Sequence, residues 1–316
     1  MWNKKGYNLH INQWIGRLGN NIQQICCAIF IAEKTESFVT WINHDILPQR
    51  TIDFRSTENN NDYVNIVVND FFSYAKICGQ FLPYYTFVEQ RRICELYVRP
   101  LFDTLLSDNS LSKLNVNQND LVIHIRSGDV FIKNSHPLYI QDPFSYYKTI
   151  LYNELVLNNR YKRIILITEP DKKSPCIELI RSYIQKLNID YAQQFIGSDV
   201  RIPYEYIEII DFKMCIKLLL TAQNIILANS SFSQRLTMCN NSIKTMYISS
   251  LSIAEKQPQN PQRVVHYFAI HNYINHGEWT NKPEQINQMI THDTSDIKKS
   301  DDWNNIHLPA HFTKII

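Results

Sequence analysis

LVIHIRSGDVF, residues 121–131, is the stretch on which the reading of this chain turns. It opens as an apolar run (Leu121, Val122, Ile123, His124, Ile125), the pattern of a buried strand, and switches abruptly to Arg126, Ser127, Gly128 and Asp129. An arginine and a carboxylate pushed off the C-terminal end of a buried strand stand where open α/β sheets bind ligands. Arg126 is a planar, permanently charged fork suited to a diphosphate. Gly128 permits a sharp turn or a close approach of backbone to ligand. The same text also suits an ordinary strand end that carries a surface Arg126–Asp129 pair.

Toward the N-terminus, residues 7–14 read as a strand and GRLGNN (residues 16–21) as a glycine turn. A helix over residues 22–34 follows, with Ile25, Ala28, Ile29 and Ala32 on one face, and then a strand over residues 38–42. This order is a βαβ unit whose turn presents backbone N–H groups and a helix N-terminus to an anion; a plain tight turn gives the same letters. Residues 57–62 are a polar, Asn-rich loop, and residues 70–85 are an aromatic-rich run suited to core packing or to an acceptor platform. Residues 87–106 have helical spacing (Val88, Ile93, Leu96, Tyr97, Leu101, Leu105) that Pro100 should kink or restart. Residues 111–120 read as the link between two domains.

Toward the C-terminus, residues 143–157 are predicted to form a helix with Phe144, Tyr147, Ile150, Leu151 and Leu155 inward. RIILIT (residues 163–168) is a buried strand ending in Glu169-Pro170-Asp171, residues 175–187 are a helix, and residues 190–195 read as another strand. The second informative stretch is IIDFKMCIKLLLTAQNIILANSSFSQRLTMCNNSIKTM, residues 209–246. Asp211 opens a helix (Phe212, Met214, Cys215, Leu218, Leu219, Ala222), and an acidic residue is favourable at that end. Residues 224–228 are a short buried strand, after which Asn229, Ser230, Ser231, Phe232 and Ser233 cap a helix over residues 234–239. Capping orphan N–H groups is one role for these side chains, and a phosphate cradle is the other. Two matches to the glycosylation sequon, at Asn229 and Asn240, read as coincidence in an Asn-rich chain. Residues 264–289 are predicted as a helical segment packing back across the domains. His266, His271, His276 and His292 form no ligand set, so no metal is expected.

The 316 residues are enough for two α/β domains, placed at 1–115 and 116–250, with residues 251–316 as a helical extension. Hydrophobic residues at 44% and charged residues at 20% describe an ordinary globular chain. A net charge of +2 lacks the basic stripe of a nucleic-acid binder. Of the 7 glycines, Gly16, Gly19 and Gly128 fall in the singled-out stretches, as expected of positions chosen for their backbone. The 7 cysteines include no CxxC spacing and read as buried free thiols in a reducing compartment. No run reaches the roughly 18 apolar residues of a membrane span, and no signal-peptide pattern opens the chain. These features predict a cytoplasmic chain, or one peripheral to a membrane. No DxD triplet occurs, so charge on a leaving diphosphate would be neutralised by protein groups.

HIRSGD resembles the HxRRGD signature of the fucosyltransferase superfamily, the α1,2-, α1,6- and protein O-fucosyltransferases that use GDP-fucose; Ser127 stands where most have a second arginine. GRLGNNIQQICCAIFIAEKT resembles the GGLGNQMFQYAxAxxLA opening of α1,2-fucosyltransferases, with Gly16, Leu18, Gly19, Asn20, Gln24, Ala28 and Ala32 in register. SYYKTIL resembles that family's YYxxAI element, and the Glu169–Asp171 strand end its acidic pair. Residues 211–235 are similar to its DFxxMxxCxxxIxxNSTFSWW element, with Gln234 and Arg235 replacing the tryptophans. The resemblance implies an α/β, GT-B-like glycosyltransferase with two Rossmann-like domains facing a cleft. It would be inverting and metal-independent, moving fucose from GDP-fucose to a hydroxyl of an oligosaccharide or glycoconjugate acceptor. By the same match, His124 and Asp211 would contact the guanosine. Arg126 and the turn of Asn229, Ser230, Ser231, Phe232 and Ser233 would contact the β-phosphate. Gly16, Arg17, Gly19 and Asn20 would line the cleft, and Arg17 or Arg235 could stand in for the absent arginine. The general base would be Asp129 or His136, the nearest candidates in sequence. Two alternatives stand beside this: the same fold using another nucleotide sugar, and a non-catalytic nucleotide-sugar or glycan-binding protein.

Overall fold

A computed structural model describes residues 7–55, 64–69, 84–111, 114–133, 135, 139–194, 203–251, 263–273 and 279–300. The expectations placed on residues 57–62, on most of 70–85, on His136 and on His276 lie outside the described residues. The chain divides into two compact units, Met1–Ser110 with Gln234–Asn241, and Leu111–Ser233 with Ser242–Ile316.

In the first unit, β1 (Tyr7–Ile11), α1 (Leu18–Lys34) and β2 (Phe38–Trp41) form the expected βαβ unit, β1 pairing parallel to β2. Leu9 and Ile11 lie opposite Val39 and Trp41, and all four are buried on one face. Two further strands, β3 (Arg50–Asp53) and β4 (Val64–Val67), complete the sheet in the order β3-β2-β1-β4. Both are short, and three of the four residues in each are exposed, which removes the hydrophobic alternation that would mark them in sequence. Helix α1 is buried almost all round, as a helix apolar on every side must be. After it come α2 (Phe87–Ile93), a π-helical turn (Cys94–Val98), a 3₁₀ turn (Arg99–Phe102) and α3 (Asp103–Ser107). Pro100 sits at the start of the 3₁₀ turn, where its missing N–H costs nothing. The π turn also shifts the helical phase: Ile93 and Leu101 are buried, whereas Val88 and Leu96 are exposed.

The second unit carries β5 (Asp120–His124), α4 (Phe144–Leu151, continued by a π-helical stretch Tyr152–Leu157), β6 (Arg163–Ile167), α5 (Pro175–Gln194) and β7 (Glu205–Ile209). It continues through α6 (Phe212–Thr221), β8 (Asn224–Ile226), the start of α7 (Ser231–Met238, which from Gln234 onward belongs to the first unit), β9 (Thr245–Ser249) and β10 (Val264–Ile270) to α8 (Pro283–Thr291) and β11 (Ile297–Ser300). The sheet order is β11-β10-β9-β8-β5-β6-β7, parallel throughout except at β10–β11. Counting from β5, the six parallel strands run 3-2-1-4-5-6, the doubly wound Rossmann order. Every residue of β5, β8 and β9 is buried, and the central β5 and β8 accordingly read as apolar segments in the sequence.

Two sequence expectations are corrected here. Residues 190–194 are the last turns of α5, not a strand; Ile189 and Tyr191 face solvent at its end, and the strand that pairs with β6 lies further on, at Glu205–Ile209. The helix expected over residues 264–289 begins instead with β10, which pairs with β9, and among the described residues of that segment the helix starts at Pro283, in Pro283–Thr291. VVHYFAI is rich in β-branched and aromatic residues but lacks clean alternation, so its period did not separate strand from helix.

Candidate active site

In the 3-2-1-4-5-6 order, strand order reverses between β5 and β8, and ligands bind outside the carboxyl ends of the strands at that point. The two sequence stretches singled out above leave those two ends. Off β5, the ladder extends by one bond, Ile125 N–H to the Ile167 carbonyl at 3.0 Å, and then breaks at Arg126. The Arg126 side chain is 11% exposed, and its guanidinium lies over the Tyr139 ring, 4.0 Å from the centroid. Its Nη2 reaches both Asp129 carboxylate oxygens at 3.3 Å. The buried Nε makes no hydrogen bond. The expected Arg126–Asp129 pair is therefore present, but through one nitrogen at a long distance, and the rest of the fork is held by stacking rather than consumed by carboxylate.

Ser127 and Gly128 are held by the end of β6. Glu169 accepts the Ser127 N–H, and Asp171 accepts from Ser127 Oγ at 2.8 Å and from Gly128 N at 3.1 Å. Ser127 Oγ also accepts from Ser174 N at 3.2 Å, and Ser127 is fully buried. Burial pushes the Asp171 carboxyl up, but hydrogen bonds from Ser127, Gly128 and Lys173 outweigh it and hold it below the ordinary range. Gly128 has φ +62°, and a Cβ there would stand 3.2 Å from the Glu169 carboxyl group. The glycine thus serves a left-handed turn packed against protein.

Off β8, Asn229 donates from Nδ2 to the Ile140 carbonyl at 3.3 Å, and Ser230 Oγ accepts the Phe232 N–H at 3.3 Å. Ser230 is thereby the cap of α7, a helix that begins earlier than the sequence suggested. Ser233 is fully buried and turns its hydroxyl inward, to the carbonyls of Ala228 (3.5 Å) and Ser230 (3.3 Å). Ser231 is half-buried in the first turn. Phe232 lies against His124 (5.7 Å between centroids) and stacks on Phe212 (5.7 Å, 23° between planes). Phe212, the first residue of α6, is 49% exposed and leaves an aromatic surface beside His124. Asp211, exposed, caps α6 by accepting the Met214 N–H at 2.8 Å.

A residue sequence reasoning missed lies beneath this turn. Asp142 is 2% exposed, and its carboxylate accepts from Ser249 Oγ and from the Asn229 backbone N–H. Burial pushes it up to about 7, against the lowering effect of those two donors. It ties the turn after β8 to the end of β9 from the segment before α4. A single acid just before Pro143 reads like a helix cap and gave no signal of this role.

In the first unit, Gly16 has φ +73°, and a Cβ there would collide with the Asn20 side chain. Gly16, Arg17 and Asn20 are exposed and Gly19 is buried; the Arg17 carbonyl accepts from Asn20 N (2.8 Å) and Asn21 N (3.1 Å). Asn21 Nδ2 and Gln24 Nε2 bind the carbonyls of Ile15 (3.1 Å) and Gln13 (3.2 Å), so the turn is clamped from within α1. Arg235 donates to Gln90 and, at 3.3 Å, to Met238 Sδ. The structure thus brings His124, Arg126, Asp129, Asp211 and residues 229–233 to the strand ends of the second unit, whereas Gly16, Arg17, Gly19 and Asn20 belong to the first. Among the described residues no group of three His, Cys, Asp or Glu side chains could hold a metal ion, and no helix is long and apolar enough to cross a membrane. Neither a scan against models of known protein families nor a search of curated proteins found a match to this chain.

Proposed function

We propose that this chain is an inverting fucosyltransferase that moves fucose from GDP-fucose to a glycan hydroxyl without a metal, on a GT-B-like arrangement of two α/β domains. The observation that carries the reading is the placement of two independently recognised motifs. HIRSGD and ANSSFS leave adjacent strands at the reversal of a Rossmann sheet, where a nucleotide is expected. On this reading the Phe212–Phe232 face beside His124 receives the base, and Asp211 stands at the same end of the sheet. Arg126 and the N-terminal turn of α7 receive the diphosphate. As the C1–O bond to the β-phosphate breaks, negative charge develops on the leaving oxygen, and a pre-placed guanidinium stabilises it without reorganisation. The acceptor hydroxyl attacks C1 from the opposite face and gives its proton to a base such as Asp129 or His136. A different nucleotide sugar is the second reading, favoured by the enclosure of Ser127 between Glu169 and Asp171.

The test is donor hydrolysis and binding across GDP-fucose, GDP-mannose, UDP-galactose and UDP-xylose, with EDTA present and a panel of glycan acceptors added. The expected result is GDP-fucose turnover that survives chelation and falls roughly 10²–10³-fold in Arg126→Ala. Preference for a UDP-sugar, or turnover indifferent to Arg126, would overturn the proposal.

A further inference from the structure

Three cysteines converge in the first unit, away from the strand ends described above. Cys26 lies on α1, Cys94 opens the π-helical turn after α2, and Cys239 follows the end of α7. All three are free thiols with no exposed surface. Cys26 Sγ and Cys94 Sγ are 3.4 Å apart, and Cys94 also accepts a hydrogen bond from Cys239. We propose that Cys26, Cys94 and Cys239 form an oxidation site, in which a peroxide converts Cys94 and Cys26 to a disulfide while Cys239 holds Cys94 as the attacking sulfur. This assignment is independent of the donor chemistry.

The geometry suits that step. The two sulfurs are already in contact at 3.4 Å, and a disulfide closes them to about 2.0 Å. Hydrogen bonds from Cys239 and Cys26 hold the Cys94 thiol below its ordinary range despite burial, and the Arg235 guanidinium acts the same way. Cys26 Sγ, in contact with Cys94 Sγ at 3.4 Å, is the sulfur placed to close the bond. The chemistry balances. The Cys94 thiolate attacks hydrogen peroxide, breaking its O–O bond, and becomes a sulfenic acid as hydroxide leaves. Cys26 sulfur then displaces that hydroxyl, forming the S–S bond, and its proton leaves with the hydroxyl as water. Two thiols and one peroxide give one disulfide and two waters. The new bond would close a loop of 68 residues, the kind of long loop for which a cross-link restricts the unfolded chain most. Cys176 and Cys215 are equally buried but have no cysteine partner, and serve as internal controls.

The experiment treats the folded, reduced full chain with hydrogen peroxide, quenches, alkylates remaining thiols under denaturing conditions and maps the digest by mass spectrometry. The expected product is the Cys26 peptide joined to the Cys94 peptide, two hydrogens lighter than the pair. It should form faster than any oxidation at Cys176 or Cys215 and reverse with dithiothreitol, and the oxidised chain should melt at higher temperature. Cys239→Ala should slow the cross-link several-fold while leaving its identity unchanged. A Cys94 that oxidises no faster than Cys176, or goes on to sulfinic acid without a cross-link, would reduce the cluster to core packing. A cross-link forming at wild-type rate in Cys239→Ala would remove the third thiol from the site.

Discussion

Replacing Asp142 by asparagine should abolish a pH-dependent loss of stability built into the second unit. The carboxyl is buried, receives Ser249 Oγ and the Asn229 N–H, and is pushed up to about 7 in the folded chain, against about 3.9 in an unfolded one. A raised native value means that the folded state holds the proton more tightly. Its stabilising contribution is therefore fully present below about pH 4 and declines as pH rises toward 7, at about 1.4 kcal/mol per unit. Above pH 7 both states are ionised, and the loss levels at about 4 kcal/mol. Asp142→Asn cannot ionise, so it escapes this slope. It places an NH₂ group near the buried Oδ2 position, which makes no hydrogen bond, a pH-independent cost of about 1–3 kcal/mol. Urea unfolding of both proteins at about pH 4.5 and about pH 8 separates the two effects. The variant should be the less stable at the lower pH and should gain about 3–4 kcal/mol relative to wild type at the higher. Parallel profiles would refute the reasoning, because they would mean that Asp142 titrates alike in both states.

Gly128→Ala meets a left-handed φ of +62° and the Glu169 carboxyl group 3.2 Å from the new Cβ. It should lose about 1–3 kcal/mol in urea unfolding, and a wild-type midpoint would show that this turn carries no constraint. Arg163→Met removes a two-nitrogen contact, Nε to Asp120 Oδ1 at 2.9 Å and Nη2 to Oδ2 at 2.6 Å, and leaves a carboxylate that is 3% exposed without its cation, with the Asn117 N–H at 2.6 Å as a remaining donor. A loss of about 3 kcal/mol is expected, partly recovered by adding Asp120→Asn; a loss within about 0.5 kcal/mol would class the pair as a surface one.

The central strands were legible because burial on both faces writes them as unbroken apolar text: β5, β6 and β8 were found in this way. Helices with one buried stripe and a definite start were legible too, as at α4 and at α6 behind its Asp211 cap. Edge and peripheral strands were not. Strands β3 and β4 expose most of their length, β7 is half-buried at the sheet edge, and β10 is an apolar run whose period does not decide its type. Within the site, residue types were readable and their occupation was not. Ser230 and Ser233 look alike in sequence, yet one caps α7 and the other spends its hydroxyl on two buried carbonyls. Asp142 escaped notice because its partners, Asn229 and Ser249, are distant in sequence and meet only through the sheet order.

Ser127 shows how a departure from a motif is absorbed. In a Rossmann sheet the turn after the first strand commonly offers its backbone N–H groups to a diphosphate. Here those of Ser127 and Gly128 are already given to Glu169 and Asp171, and the Ser127 hydroxyl is given to Asp171 as well. An arginine at this position would bring a cation to the two carboxylates. The serine instead satisfies them with small neutral donors, and Lys173 pairs with Asp171 at 3.4 Å. With those two backbone N–H groups occupied, an anion is favoured toward the opposite side of the strand-order reversal. There Arg126, fixed on Tyr139, and the N-terminal turn of α7 supply the positive field. The proposed donor would consequently be gripped between the first and fourth strands of the Rossmann order, with its charge met by one guanidinium where the motif usually offers two. On that proposal Arg126 would carry a share of phosphate binding for which no neighbouring arginine on its own turn could compensate.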